Sequence, residues 1–382
     1  MTNQPAKRKY SESVLPSLTL EEAQQLQFQF VESISKHFTG DQFLSLGDLG
    51  LGSRYQRPEQ TEKAERVLAD FFGAEAAALV RGAGTGAIRI LLSVLLSPGD
   101  SMFIHKAPVY ATTKETIRML GIRTVAIDFN RLKEMEKALR EDADCKVFYI
   151  QHARQQPSDT YHLQTVIETV KRIRPDLTVV VDDNYCVMKT YGIGVQCGAD
   201  YSTFSGFKLM GPEGIGVILG KKEKIDLIHA RNYSGGGQVQ GFEAMELLRM
   251  MTLTPVLFAV QSKQVEEICR QLNEGAIEEV DCAYVVNAQS KNVIVELKEP
   301  IAPEVIKQSN RFGAATHPVG AESKYEILPL FYRVSGSFIE AEPRLKDYGI
   351  RINPMKSGAA TVLRILKEAI HAAKESVHAA KK

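Results

Sequence analysis

"TVVVDDNYCVMKTYGIGVQCGADYSTFSGFKLMGPEGIGVILG" runs from Thr178 to Gly220. It opens on an apolar run that ends in two aspartates and closes on a glycine-rich apolar run. Between them Lys208 follows a serine and a glycine, an odd place for an ordinary surface charge. Apolar residues without polar alternation, as in "TVVVDD", read as a strand buried on both faces. The same texture recurs upstream. "AAALV" precedes a glycine turn and "AIRILLSVLL", "MFIHKAP" precedes "ATTKETIRML", and "VFYI" precedes "LQTVIETVKRI". Such strands, each followed by a helix, predict an α/β fold with a mostly parallel sheet covered on both faces. Ligands in these sheets bind beyond the carboxyl ends of the strands. The loops after "ALV", "FIHK", "FYIQ" and "VVVDD" are therefore expected to converge on one site.

Around this centre, "LTLEEAQQLQFQFVESISKHF" opens with Thr19 and Glu22 at capping-box spacing, and a second helix is expected over "EQTEKAERVLADFFG". From about Thr252 the texture becomes α+β. The expected organisation is a helical segment over 1–60 that serves the dimer and the small domain, a large α/β domain over 61–250, and a small α+β domain over 251–382. With 47 basic and 46 acidic residues the net charge is +1. No strong field is present to draw nucleic acid or an anionic membrane. No apolar run approaches the roughly 20 residues of a membrane helix. The polar start "MTNQPAKRKYSES" and five cysteines without a CxxC pair point to a cytoplasmic protein with reduced thiols.

"RGAGTGAIRI" places Gly82, Gly84 and Gly86 between a strand and a helix, where backbone N–H groups and the helix dipole favour an anion. A nicotinamide or flavin nucleotide is one reading of Gly82, Gly84 and Ala87. It needs an acid at the end of the next strand, where the chain has His105 and Lys106. Pyridoxal phosphate explains more positions. It needs a lysine for a Schiff base, a carboxylate to keep the pyridine nitrogen protonated, a phosphate cup and an aromatic ring. Lys208, Asp182 and Tyr110 fill the catalytic roles. Gly84, Thr85 and Gly86 offer amides, Thr203 and Ser205 offer hydroxyls, and Asp183, beside Asp182 in sequence, is a further cofactor-binding candidate. The histidines show no metal-ligand spacing, and no metal site is expected.

Two motifs extend this reading. Ser205 to Lys208 forms Ser-x-x-Lys, and "GSRYQRPEQ" holds Tyr55 and Arg57 as Tyr-x-Arg. The order Tyr-x-Arg, glycine turn, tyrosine, aspartate, lysine resembles fold-type I pyridoxal-phosphate enzymes, the aminotransferase-like superfamily. The Asp182-to-Lys208 segment is similar to that of the cystathionine and methionine γ-lyases. "RGAGTGAIR", "QHARQQP", "FSGFKLMGPEG", "VGAESKYEI" and "RINP" also resemble the YhfS-like proteins of enterobacteria, over nearly the whole chain. The resemblance implies a seven-stranded, mixed but mostly parallel sheet and a smaller C-terminal domain. It implies a homodimer or homotetramer with shared sites, in which Tyr55 and Arg57 reach the neighbour's cofactor phosphate. It also implies an arginine for the substrate carboxylate, Arg351 in "IRINP" or Arg333 in "FYRVSGSF", with Arg351 favoured.

"IQHARQQPSDTY" departs from the Asn-Pro often found after this strand in the superfamily. Gln155, or its neighbours Arg154 and Gln156, is placed on the cofactor's 3′-oxygen, and His152 beside the substrate. "NYSGGGQVQG", Asn232 to Gly241, reads either as a linker or as a loop closing a neighbour's site. The expected chemistry starts when an amino acid displaces Lys208 from the internal aldimine, after which Lys208 removes the α-proton. Elimination at the β- or γ-carbon, as in a carbon–sulfur lyase, is the leading outcome. Transamination is the runner-up, and a non-catalytic cofactor-binding regulator the third reading.

Overall fold

The structure, a computed structural model, describes residues 10–50, 56–233, 237–287, 290–320 and 322–380. It divides into two compact units. The larger comprises Leu18–Ala153 and Tyr161–Val256. The smaller comprises the segment up to Ser17, Arg154–Thr160 and Leu257–Lys382. The expected boundaries at 60/61 and 250/251 therefore shift. The first break falls at Ser17, just before the cap of helix Leu20–His37, and the last falls inside helix Gly241–Asn273, beside Pro255. A continuous helix hides such a division, because its residues keep one period on both sides.

The larger unit holds a seven-stranded sheet built from β1 (Ala76–Arg81), β2 (Ser101–His105), β3 (Arg123–Ile127), β4 (Cys145–Gln151), β5 (Thr178–Asp182), β6 (Tyr201–Ser205) and β7 (Ile215–Gly220). Their order is β1-β7-β6-β5-β4-β2-β3, and only β7 runs antiparallel to its neighbours. Two strands, β3 and β6, are not visible in the sequence as apolar runs. In β3, "RTVAI", only Ile127 is buried, as befits a sheet edge. In β6, "YSTFS", every residue is buried, but its hydroxyls disguise it as a turn.

Period-two alternation explains why the other strands carry apolar residues throughout. Met102, Tyr149 and Val180 join the core on one face of the sheet, with Leu91 and Leu92 of helix Ala83–Leu95. Phe103, Phe148, Val179 and Val181 join the core on the other face, with Val166 and Val170 of helix Leu163–Ile173. Each strand is thus greasy on both sides. Phe148 is fully buried and stacks on Phe129, with centroids 4.9 Å apart and planes at 23°. Phe148→Ala should cost about 3–5 kcal/mol of unfolding free energy, read by chemical denaturation, because the cavity cannot collapse between two packed layers.

The smaller unit holds an antiparallel sheet of β8 (Val280–Val286), β9 (Asn292–Leu297), β10 (Leu330–Tyr332) and β11 (Gly349–Asn353), in the order β10-β11-β9-β8. Phe331, Ile350 and Ile352 pack into one core with Val362, Leu366 and Ile370 of helix Ala359–Ala380.

Candidate active site

Asp182 is the last residue of β5, buried at the carboxyl edge of the larger sheet. The backbone N–H of Asn184 donates to its Oδ1 at 3.0 Å, the Asx-turn geometry of an aspartate that stops a strand. The Asn184 side chain donates to the same oxygen at 2.6 Å, and the Tyr149 hydroxyl donates to Oδ2 at 3.1 Å. Burial raises the Asp182 carboxyl above its ordinary pKa, against the pull of Asn184, the Lys208 charge and Tyr149.

Asp183 points elsewhere. Its carboxylate accepts the backbone N–H of Gly194 at 3.1 Å and the Nδ1–H of His152 at 2.8 Å. Burial opposes charge on His152, but Cys186 and Asp183 outweigh it and push the imidazole up to about 10. His152 thus braces the β5 edge, with its backbone N–H on the Asp182 carbonyl at 2.9 Å. His152→Ala should cost about 3 kcal/mol by stranding a buried charge. A histidine pKa raised by folding stabilises fully below its unfolded value, about 6.5, and loses that contribution as pH rises through about 10. The melting-temperature gap between wild type and variant should therefore be widest at pH 6 and narrow toward pH 10.

Lys208 lies one strand over. At the end of β6 the chain turns through Gly206 into a single 3₁₀ turn, Phe207–Leu209, and leaves through Met210 at φ +63°. The N–H groups of Leu209 and Gly211 both return to the Gly206 carbonyl at 3.0 Å. A Cβ on Gly211 would come within 2.6 Å of the Leu247 side chain and 2.8 Å of the Gly206 carbonyl oxygen, so the turn seats only with glycine there. This tight loop presents the Lys208 amine over the Tyr185 ring, 3.9 Å from its centroid, where its charge also acts on Asp182. The unusual position of the lysine in the sequence is thus a strand end followed by a clamped turn.

The glycine turn stands at the end of β1. Gly82 has φ +95°, and the N–H groups of Gly82 and Ala83 donate to the Gly214 carbonyl at 2.8 and 2.9 Å. The Gly86 N–H returns to Gly82, leaving the first-turn amides of Gly84 and Thr85 without intrahelical acceptors. A Cβ on Gly84 would lie 2.5 Å from the Asn184 side chain, and one on Gly86 would lie 2.1 Å from the Arg81 carbonyl. The Asn184 Oδ1 accepts the Ser205 N–H at 3.0 Å, while the buried Ser205 Oγ has no hydrogen-bond partner among the described residues. An orphaned buried hydroxyl, free helix-start amides and a glycine cradle are what a phosphate requires. Asp182 and Lys208 offer the carboxylate and the amine that pyridoxal phosphate needs at its other end. The residues present therefore fit that cofactor.

The other expected residues fall as follows. Thr85 and Thr112 share a hydroxyl contact at 3.0 Å. Tyr110 precedes helix Ala111–Met119 and is 45% exposed. Thr203 is fully buried and turns its hydroxyl to the Val181 carbonyl at 3.4 Å, which directs it into the sheet. Tyr55 lies outside the described residues, as does part of the glycine loop, residues 234–236. Arg57 pairs with the buried Glu65 at 2.7 Å.

The remaining candidates belong to the smaller unit. Gln155 is buried with its N–H on Asp159 Oδ2 at 3.0 Å, and Arg154 donates to the Ser13 carbonyl at 2.8 Å. Arg333 is exposed just past β10. Arg351 is buried in β11, its guanidinium 4.0 Å over the Tyr332 ring, with Asn353 on the same strand face. Among the described residues no group of His, Cys, Asp or Glu is arranged to hold a metal, and no helix is long and apolar enough to cross a membrane.

Sequence reasoning missed Asn184, Tyr185 and Tyr149. The Asx pattern after a strand-ending aspartate is the one signal that singles out Asn184. Tyr185 and Tyr149 meet the site only through the register of neighbouring strands and turns.

Comparison with known proteins bears on the family, the fold and the cofactor. The aminotransferase class-V family model matches residues 53–258, and the YhfS-like C-terminal domain model matches 266–366. The chain is 49% identical to the uncharacterised protein YhfS of Escherichia coli K12 over 356 residues, 93% of this chain and 98% of that one. A crystal structure described as the pyridoxal-5′-phosphate-dependent protein YhfS from Escherichia coli aligns with a TM-score of 0.91, covering 94% of this chain and 99% of that chain at the same 49% identity. A carbon–sulfur lyase involved in aluminium resistance from Clostridium novyi NT shares the fold, at TM-score 0.67 and 18% identity over 91% of this chain and 90% of that chain.

Proposed function

Because this chain belongs to the aminotransferase class-V family and is a pyridoxal-phosphate-dependent enzyme, we propose that Lys208 is its cofactor-bearing lysine and that it eliminates a leaving group from an amino acid. The observation that carries this reading is the Lys208 amine, held over Tyr185 by a clamped turn within electrostatic reach of Asp182. When bound, pyridoxal phosphate supplies an electron sink for charge developing at the substrate's α-carbon. Lys208 Nζ would hold the cofactor's aldehyde and, once free, would take the substrate's α-proton at the same atom. The Gly84 and Thr85 amides and the Ser205 hydroxyl would hold the phosphate, Asp182 would partner the pyridine nitrogen, and Tyr110 would offer an aromatic surface to the ring.

Arg351 is the reading's carboxylate-binding residue, since a planar guanidinium pairs bidentately with a carboxylate and its place over Tyr332 fixes the plane of the fork. The buried Nδ2 of Asn353, which has no hydrogen-bond partner among the described residues, is a second donor on that strand face. A cytoplasmic homodimer or homotetramer, in which Tyr55 and Arg57 serve the neighbour's phosphate, completes the reading. Its first check is the mass in solution with and without cofactor.

Ser-x-x-Lys at Ser205–Lys208 and the fold shared with a carbon–sulfur lyase favour elimination. The class-V family match favours transamination as the second reading. Mixing the cofactor-loaded protein with pools of amino acids separates them. Accumulating ammonia and 2-oxo acid with a persistent visible band is the elimination result. Lasting loss of the band, restored by a 2-oxo acid, is the transamination result.

A further inference from the structure

Building on the cofactor reading of Lys208 and Asp182, we infer that Asn184 is a positioning residue that fixes the ring-binding carboxylate and the phosphate turn in one rigid frame. Its carboxamide has a single sensible orientation. Nδ2 faces the Asp182 carboxylate at 2.6 Å, and Oδ1 faces the Ser205 N–H at 3.0 Å. The flipped amide would set oxygen against carboxylate and N–H against N–H. The side chain therefore joins the end of β5 to the end of β6.

It also reaches the third element of the site. A Cβ on Gly84 would come within 2.5, 2.6 and 2.9 Å of its Nδ2, Oδ1 and Cγ. Glycine is needed at position 84 because the Asn184 carboxamide packs flat against the start of the helix. One amide thus locates the ring-nitrogen partner, the serine carrying the orphaned hydroxyl, and the phosphate-binding turn.

The electrostatic consequence concerns Asp182. Burial drives this carboxyl toward its neutral form, and Asn184 opposes that with two donors on Oδ1. A neutral acid has no charge with which to hold a protonated pyridine nitrogen. The two Asn184 donors favour the ionised carboxylate from the Oδ1 side, while Oδ2 accepts from the Tyr149 hydroxyl.

The test is the equilibrium dissociation constant of pyridoxal phosphate from the full-length protein without substrate. It is followed by visible absorbance, because the chain has no tryptophan. Asn184→Ala should weaken binding about 10- to 100-fold, the usual loss for hydrogen bonds to a charged group. Asn184→Asp keeps the shape and the Ser205 acceptor but places a second carboxylate against Asp182. It should bind more weakly still and should move the pH at which the bound cofactor changes its visible band. A residue that merely held loops together would leave that pH in place.

Gly84→Ala should weaken binding in wild type, where its methyl meets Asn184, and much less in an Asn184→Ala background. This non-additivity is the signature of direct contact. Wild-type affinity in both Asn184 variants would overturn the inference. So would losses that track only the melting temperature of the cofactor-free protein, with Gly84→Ala additive. If wild-type protein forms no visible band that depends on Lys208, the cofactor reading fails first and takes the inference with it.

Discussion

Lys208→Ala should yield a protein that folds and still takes up pyridoxal phosphate but forms no covalent link to it and shows no measurable turnover. The expected effect is large because, on the proposed reading, one amine serves two steps, as the cofactor's covalent anchor and as the base at the α-carbon. General-base loss alone is worth about 10²–10⁴ in rate. The fold should tolerate the change. Lys208 sits in a turn whose bonds run through the backbone of Gly206, Leu209 and Gly211, and its replacement leaves those intact. Borohydride reduction followed by peptide mass analysis checks it directly. Wild type should carry the reduced cofactor on the peptide containing Lys208, and the variant on none. A label on another lysine would sink the assignment. Partial rescue of the variant by a small added amine would separate loss of the base from loss of the site.

Asp182→Asn has the second-largest expected effect, and it divides cofactor function from stability. Without a carboxylate the pyridine nitrogen loses its charged partner. Turnover should fall by on the order of 10² or more, as it does when a preorganised electrostatic partner is removed from a buried site. The cofactor-free variant, however, should be at least as stable as wild type near neutral pH. The sign follows from linkage. Burial raises the folded-state pKa of Asp182 above its ordinary value. Its stabilising contribution is therefore complete below the unfolded pKa and is lost as pH rises through the folded one. The difference in melting temperature, variant minus wild type, should grow as pH rises from about 4 toward neutrality. A variant that is both fully active and less stable at pH 7 would show that Asp182 is structural.

This trade-off separates what the sequence could tell from what it could not. Lys208, Asp182 and the glycine turn could be proposed from the sequence because each role demands a residue type at the end of a strand, and uninterrupted apolar runs marked most of those strands. The α/β order followed from those runs and the helices between them. Strands β3 and β6 escaped notice, one solvated at the sheet edge and the other rich in hydroxyls, so neither carried the apolar run of a buried strand. The partners of the named residues escaped for a different reason. Thr203 and Ser205 both looked like phosphate hydroxyls, yet one donates to a strand carbonyl and the other is orphaned. His152 looked like a substrate contact and is an ion-paired brace on Asp183.

The chain alone therefore determined the cofactor class and the order in which its candidate groups occur. Register, turn geometry and burial decided which hydroxyl is available, which aspartate is raised, and that Asn184 stands among three elements. Those properties depend on distances between residues far apart in the chain, such as Asn184 beside Gly84, and no local pattern encodes them.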